Sequence, residues 1–124
     1  MCLLAEYLSN PPAEEIVRSW LQRGNFRNAA KAVIDDSWVP NATPQPRLTS
    51  IKTAINDLFS AGDRAPFHIT QHGKYDSGID GLTAEHVGRD ATLYVAGVAR
   101  VQDRMVSEVR AISDRWGLKR QLQR

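Results

Sequence analysis

Apolar residues spaced three or four positions apart run through the last third of the chain, and this spacing constrains the fold more than any other feature. After Asp90, a suitable helix cap, they are Tyr94, Val95, Val98, Val101, Met105, Val109, Ile112 and Trp116. Such spacing is typical of one face of an α-helix, and Gly117 provides a suitable end. The sequence therefore predicts a long amphipathic C-terminal helix over residues 90–116, about 40 Å in length.

A helix of that length would overhang a compact domain of 124 residues, whose expected radius of gyration is about 14 Å. The helix either bends at Gly97 or buries its outer turns against a second copy of the chain. We favour a homodimer. Its predicted interface consists of Val98, Val101, Met105, Val109, Ile112 and Trp116.

Three shorter helices are predicted upstream from the same kind of apolar spacing. The first follows Pro11 and Pro12, which suit a first helical turn, and ends near Gly24. The second begins at Asn25 and ends near Asp36. After a proline-rich loop at residues 38–46, the third covers residues 48–62, LTSIKTAINDLFSAG. Its apolar stripe is Ile51, Ala54, Ile55, Leu58 and Phe59.

Residues 66–82, PFHITQHGKYDSGIDGL, lack a helical period. Polar and apolar residues alternate from Phe67 to His72, which predicts one short strand followed by a turn-rich loop. The predicted fold class is therefore mainly α, with about four helices and one short β-strand or hairpin. One domain spans residues 1–124, with a helical part at 11–75, the long helix at 90–116 and a basic tail at 117–124.

Composition places this domain in the cytoplasm. Cys2 is the only cysteine, so no internal disulfide can form, and a reducing compartment is the natural one. No segment approaches the ~20 apolar residues of a membrane helix, and the first residues lack the features of a signal peptide. The net charge is only +2, but the last ten residues hold four cations and no acid. Such a tail suits nucleic acid or an acidic partner.

The third predicted helix resembles the recognition helix of winged helix-turn-helix regulators. The resemblance rests on the spacing of Ile51, the pair Ala54–Ile55, Leu58 and Gly62. The segment from Phe67 to Lys74, with its Thr-x-x-Gly ending, is similar to the last wing strand of those domains. A long C-terminal helix is also common in that class as a dimer element. The resemblance covers roughly residues 12–74.

This resemblance implies a small dimeric regulator that binds double-stranded DNA. The residues implied to read base edges are Thr49, Ser50, Lys52, Thr53 and Asn56. Those implied to contact phosphates are Arg27, Lys31, Arg47, Arg64 and Lys74. The alternative is a protein-interaction module, an inhibitor or adaptor, that presents the long helix and Trp38 to a partner. The charge balance of residues 1–66 favours that alternative, and a third hypothesis is that the basic tail binds RNA.

Catalytic and metal motifs are incomplete in this sequence. His68 and His72 have the spacing of helical zinc ligands, but on a strand they lie about 13 Å apart. Residues 76–87 approach a calcium loop, yet Gly78 and Val87 occupy positions that require oxygen ligands. Glu85 and His86 are sequence neighbours, which rarely form a productive acid–base pair. We therefore expect no metal, no cofactor and no catalytic residues, which means a protein that is not an enzyme.

Overall fold

The computed structural model describes residues 12–23, 29–34 and 46–124. Its elements in chain order are α1 (Ala13–Gln22), β1 (Lys31–Ile34), β2 (Arg47–Leu58), β3 (Arg64–Ser77), a 3₁₀ turn (Ala84–His86), β4 (Asp90–Gln102), β5 (Met105–Ser113) and α2 (Arg115–Leu122). The predicted mainly helical fold class is therefore wrong. The described residues form an α+β fold built on one sheet.

The five strands lie in the order β1-β5-β4-β3-β2. The pairs β2–β3, β3–β4 and β4–β5 are antiparallel, whereas β1 runs parallel to β5. Both edge strands come from the first half of the sequence. As a result, β1 and β2, which are close in the chain, lie at opposite edges of the sheet.

Helix α1 covers one face of this sheet, which we call the inner face; the opposite face is the outer face. The helix predicted after Pro12 is confirmed, and its stripe of Ala13, Val17, Trp20 and Leu21 is buried. The Trp20 ring meets the Phe67 ring edge-on, with centroids 6.5 Å apart. Most of the remaining core comes from alternate strand residues, which include Ile69, Leu93, Val95, Ala99 and Val109.

The long C-terminal helix does not exist, because residues 90–113 form the antiparallel hairpin β4–β5. The strand β4 carries apolar residues on both faces: Leu93 and Val95 are buried, while Tyr94 and Val98 are exposed. With apolar residues on both faces, the period-two signal of a half-buried strand is lost. The turn at Asp103–Arg104 also lacks the glycine or asparagine that usually marks a hairpin.

The third predicted helix is strand β2, and two bulges explain the error. The register with β3 shifts between Thr49 and Lys52 and again between Ile55 and Asp57. Ser50 in the first shift has φ 54°. Each extra residue interrupts the alternation, so inward-facing positions such as Ile55 and Leu58 are three apart, as on a helix.

Three other predicted segments also differ from the structure. Residues 31–34, assigned to a second helix, form β1; the start of that helix and most of the loop at 38–46 lie outside the described residues. The strand predicted at 67–72 is confirmed but extends over Arg64–Ser77. Most of the basic tail, residues 117–122, belongs to helix α2, whose Leu118 and Leu122 are buried. The side chain of Asp114 caps α2 by accepting a hydrogen bond from Gly117 N at 2.8 Å.

At Gly97 of β4, the neighbouring atoms of β5 and β3 leave no space for a side chain. A Cβ atom there would lie 2.5 Å from the Arg110 carbonyl oxygen and 2.9 Å from Phe67 Cζ. We therefore expect Gly97→Ala to lower the free energy of unfolding by about 1–3 kcal/mol, because the backbone contact cannot relax freely. Urea denaturation would measure the change. Ala96→Val, at an exposed neighbouring position, should stay within about 0.5 kcal/mol; equal effects would contradict this account of Gly97.

Candidate functional site

The residues assigned to DNA binding do not share one surface. Lys31 is on β1 at one edge of the sheet, whereas Arg47 to Asn56 are on β2 at the other edge. Arg64 and Lys74 lie near opposite ends of β3, and Lys74 forms an ion pair with Asp90. Arg27 lies outside the described residues. Because neighbouring side chains on a strand point to opposite faces, no helical reading face can form from residues 49–56.

Thr53 and Asn56 illustrate the division of β2 between the two faces. Thr53 is opposite the buried Gln71, and its Oγ1 atom is buried without a hydrogen-bond partner among the described residues. Asn56 is exposed, and its Nδ2 donates to Thr70 Oγ1 at 2.7 Å. Thr53 therefore points towards the packed interior, and Asn56 forms its hydrogen bond at an exposed position.

Thr53 and Thr70 provide a matched pair of valine substitutions. Thr53→Val removes an unpaired buried hydroxyl, so we expect the free energy of unfolding to stay equal or rise by up to about 1 kcal/mol. Thr70→Val removes the acceptor of a formed hydrogen bond and should lower it by about 0.5–1.5 kcal/mol. Urea denaturation of both variants tests the assignment, and a larger loss for Thr53→Val would refute it.

The predicted dimer stripe is also dispersed by the sheet. Val109 is completely buried in the core, while Val98 and Ile112 are exposed on the outer face. Met105 follows the β4–β5 turn and Trp116 is on α2. The helix length that supported a dimer no longer applies, because these residues belong to three different elements.

Two of the three histidines lie on β3, and the third lies in the 3₁₀ turn of the acidic loop. His68 and His72 lie on β3, and His72 Nδ1 is 3.2 Å from Thr92 Oγ1. Within residues 76–87, the segment compared with a calcium loop, Thr83 N donates a hydrogen bond to His86 Nδ1 at 2.9 Å. This hydrogen bond caps the 3₁₀ turn. In the described ranges, no three His, Cys, Asp or Glu side chains are grouped so that they could hold a metal ion. Cys2 and Trp38 lie outside those ranges.

The candidate site is a cavity of about 580 Å³ between the end of α1 and the β4–β5 turn. Its lining is mostly apolar and has two cationic side chains. The lining residues are Ile16, Trp20, Arg23, Ala29, Ala30, Arg104, Met105 and Val106. A volume of this size and an apolar lining with few polar groups are typical of small-molecule sites.

The two arginines give this inner cavity its charge. Arg23 follows the last turn of α1, and Arg104 occupies the β4–β5 turn. Both residues are exposed, and neither forms an ion pair with another residue in the described parts of the chain. The described residues therefore leave these two positive charges of the cavity unneutralised.

The turn that carries Arg104 is conformationally strained. Asp103 has φ 52° and Arg104 has φ 63°, as the two central residues of a tight hairpin turn require. Glycine or asparagine usually fills such positions, since a side chain with a Cβ atom is disfavoured there. Strained residues of this kind are concentrated at functional sites. An arginine here keeps a cation at the cavity at a cost in stability.

The sequence places Met105 only in a dimer stripe and does not mark Arg23 or Arg104 as site residues. A hairpin between Gln102 and Met105 would have placed Arg104 in a turn. No turn signal in the sequence indicates that hairpin, because Asp-Arg is an unusual pair for it.

Solved structures with similar architecture identify the fold as NTF2-like. TsrD from Streptomyces laurentii has a TM-score of 0.51 and 25% identity, with 60% of this chain and 55% of that chain covered. AclR from Streptomyces galilaeus, described as a candidate hydroxylase, has a TM-score of 0.51 and 16% identity over 61% of this chain and 56% of its own.

An NTF2-like protein of unknown function from Burkholderia pseudomallei matches over 100% of both chains, with a TM-score of 0.51 and 12% identity. The matches to TsrD and AclR, in contrast, span little more than half of those proteins. No protein-family model and no curated protein matches the sequence.

The NTF2-like fold overturns the functional assignment made from the sequence. The winged helix-turn-helix resemblance is wrong, and so is the DNA-binding regulator with its double-stranded DNA partner. The protein-interaction module is not supported either, because the long helix that it was to present does not exist. The expectation of a protein that is not an enzyme is also overturned, since structures of this fold include the candidate hydroxylase AclR. No helix of the described residues is long and apolar enough to cross a membrane.

Proposed function

We propose that this protein binds an apolar small molecule carrying an anionic group in the inner cavity and acts on it there. The observation that carries the proposal is the combination of an apolar lining with Arg23 and Arg104 in one cavity of about 580 Å³. Ile16, Trp20 and Met105 would contact the body of the ligand. The two guanidinium groups would bind its carboxylate or a similar oxyanion.

The same arrangement supports chemistry in which negative charge develops on an oxygen atom. Two arginines fixed at the rim of the cavity would place positive charge beside an oxygen atom on which such negative charge develops. Among the described residues that line the cavity, none carries a carboxylate or an imidazole. The step that we propose for these residues is therefore charge stabilisation. The cytoplasm remains the compartment that we expect, since the chain has a single cysteine.

Calorimetric titration with two matched ligands, 2-naphthoate and 2-naphthalenemethanol, tests the proposal. The carboxylate should bind more tightly than the alcohol, because only the carboxylate pairs with the arginines. Arg23→Gln and Arg104→Gln should each weaken carboxylate binding about tenfold, equivalent to about 1.4 kcal/mol, and leave alcohol binding unchanged. Arg47→Gln, an exposed arginine on β2 outside the cavity, is the matched control. Equal affinities for the two ligands, or equal effects of Arg104→Gln and Arg47→Gln, would refute the proposal.

Arg104→Gly should separate stability from binding. Glycine adopts the left-handed conformation without the Cβ penalty, so the free energy of unfolding should rise by about 0.5–1 kcal/mol. Binding of 2-naphthoate should fall as it does in Arg104→Gln. Urea denaturation and calorimetry give the two readings. A less stable Arg104→Gly protein would show that the turn does not strain this residue.

A further inference from the structure

A row of charged residues crosses four strands on the outer face of the sheet. In the strand register, Lys31 of β1 lies opposite Glu108 of β5, and Glu108 lies opposite Arg100 of β4. Arg100 in turn lies opposite Arg64 of β3. Neighbouring strands are about 4.8 Å apart, so the backbone positions of this row span about 14 Å. The side chains of Lys31 and Arg64, at the two ends of the row, are long and flexible, so both can reach one ligand between them.

This row borders a second cavity, of about 410 Å³, which we call the outer pocket. Besides the four residues of the row, its lining contains Val98 and Arg110. These two residues lie opposite each other in the next row of the sheet. Val98 is 37% exposed and gives the pocket an apolar part. The outer pocket shares no lining residue with the inner cavity.

Two acids partly neutralise the four cations of the outer pocket. Glu108 Oε1 accepts a hydrogen bond from Arg110 Nε at 3.1 Å, and Asp63 Oδ2 accepts one from Arg100 Nε at 3.0 Å. The hydrogen bond from Arg100 lowers the pKa of the Asp63 carboxyl below its usual value, so this acid is ionised at neutral pH. Lys31 and Arg64 form no ion pair with the residues that the structure describes. Two positive charges therefore remain in excess.

The placement of Arg64 directly opposite Arg100 lowers the stability of the sheet when no anion is bound. Like charges at directly opposed cross-strand positions repel each other. Asp63 offsets part of this repulsion, because its carboxylate pairs with Arg100 and is also attracted to Arg64. A local conflict that the fold offsets only in part is typical of a binding site. An anion placed between the two arginines would remove the repulsion.

We propose that the outer pocket binds the phosphate group of a small phosphorylated molecule, with Arg64 and Lys31 as its principal contacts. A phosphate monoester carries nearly two negative charges at neutral pH, which matches the excess charge of the pocket. Planar guanidinium groups bind two phosphate oxygens at once. The ion pairs to Asp63 and Glu108 hold Arg100 and Arg110 in position beside the phosphate. The volume of the pocket exceeds that of a phosphate ion and leaves space for an organic group against Val98.

Calorimetric titration with phenyl phosphate, inorganic phosphate and sodium chloride at constant ionic strength tests this proposal. Phenyl phosphate should bind, and chloride at the same ionic strength should not replace it. Tighter binding of phenyl phosphate than of inorganic phosphate identifies an organic phosphate as the ligand class. Equal affinities of the two would assign the site to free phosphate and overturn the organic part of the proposal.

Substitutions separate this pocket from general surface charge. Arg64→Gln should weaken phenyl phosphate binding at least tenfold, and Lys31→Gln should weaken it severalfold. Lys52→Gln removes an exposed cation on β2, outside the pocket, and should leave binding unchanged. Absence of binding in the unsubstituted protein, or equal losses in Arg64→Gln and Lys52→Gln, would overturn the proposal.

Thermal unfolding controls for the integrity of the variants. Arg64→Gln relieves repulsion with Arg100, so its melting temperature without ligand should equal or exceed that of the unsubstituted protein. Phenyl phosphate should raise the melting temperature of the unsubstituted protein and have little effect on Arg64→Gln. Since Arg64→Gln leaves the inner cavity intact, 2-naphthoate binding should persist in this variant. A result that overturns the proposal for the outer pocket can therefore be distinguished from one that overturns the proposal for the inner cavity.

Discussion

The packing of α1 on the inner face of the sheet is the contact on which the rest of the structure depends. Val17 and Leu21 are almost completely excluded from solvent, and Trp20 meets Phe67 in the centre of the core. Burying three such side chains contributes several kcal/mol to stability, at about 1.5–3 kcal/mol for each large apolar group. This contact decides which face of the sheet is closed. It also places the last turn of α1, with Arg23, beside the β4–β5 turn.

Both proposed sites are consequences of that division into two faces. The inner cavity lies where α1 ends and the hairpin turns, so its lining combines core side chains with cations from exposed positions. The outer pocket lies on the face that α1 leaves uncovered, where the register aligns cations from four strands. Neither set of residues is contiguous in the sequence. The packing of α1 against the sheet brings the first set together, and the strand pairing brings the second set together.

Several local features could be predicted from the sequence. The stripe of α1, its proline at the N-terminus and the alternation from Phe67 to His72 each give a clear signal, because one periodicity dominates in each segment. The other strands mislead for identifiable reasons. Bulges at Ser50 and near Asn56 change the spacing of β2, and apolar residues on both faces of β4 remove its alternation. The strained turn at Arg104 carries no hairpin signal.

The sequence by itself determined the helix after Pro12, the strand within Phe67–His72 and the inventory of charges. The tertiary structure decided that residues 90–113 form two strands, because their pairing with β3 and β1 satisfies backbone hydrogen bonds that no local pattern could assign. The structure alone decided which cations act together. Arg23 and Arg104 are distant in the chain, and the packing of α1 on the sheet brings them to one cavity. Lys31, Arg64 and Arg110 are equally distant, and the order of strands in the sheet brings them to one pocket. A sheet joins residues that are remote in sequence, whereas the periodicity of a sequence reports only local contacts.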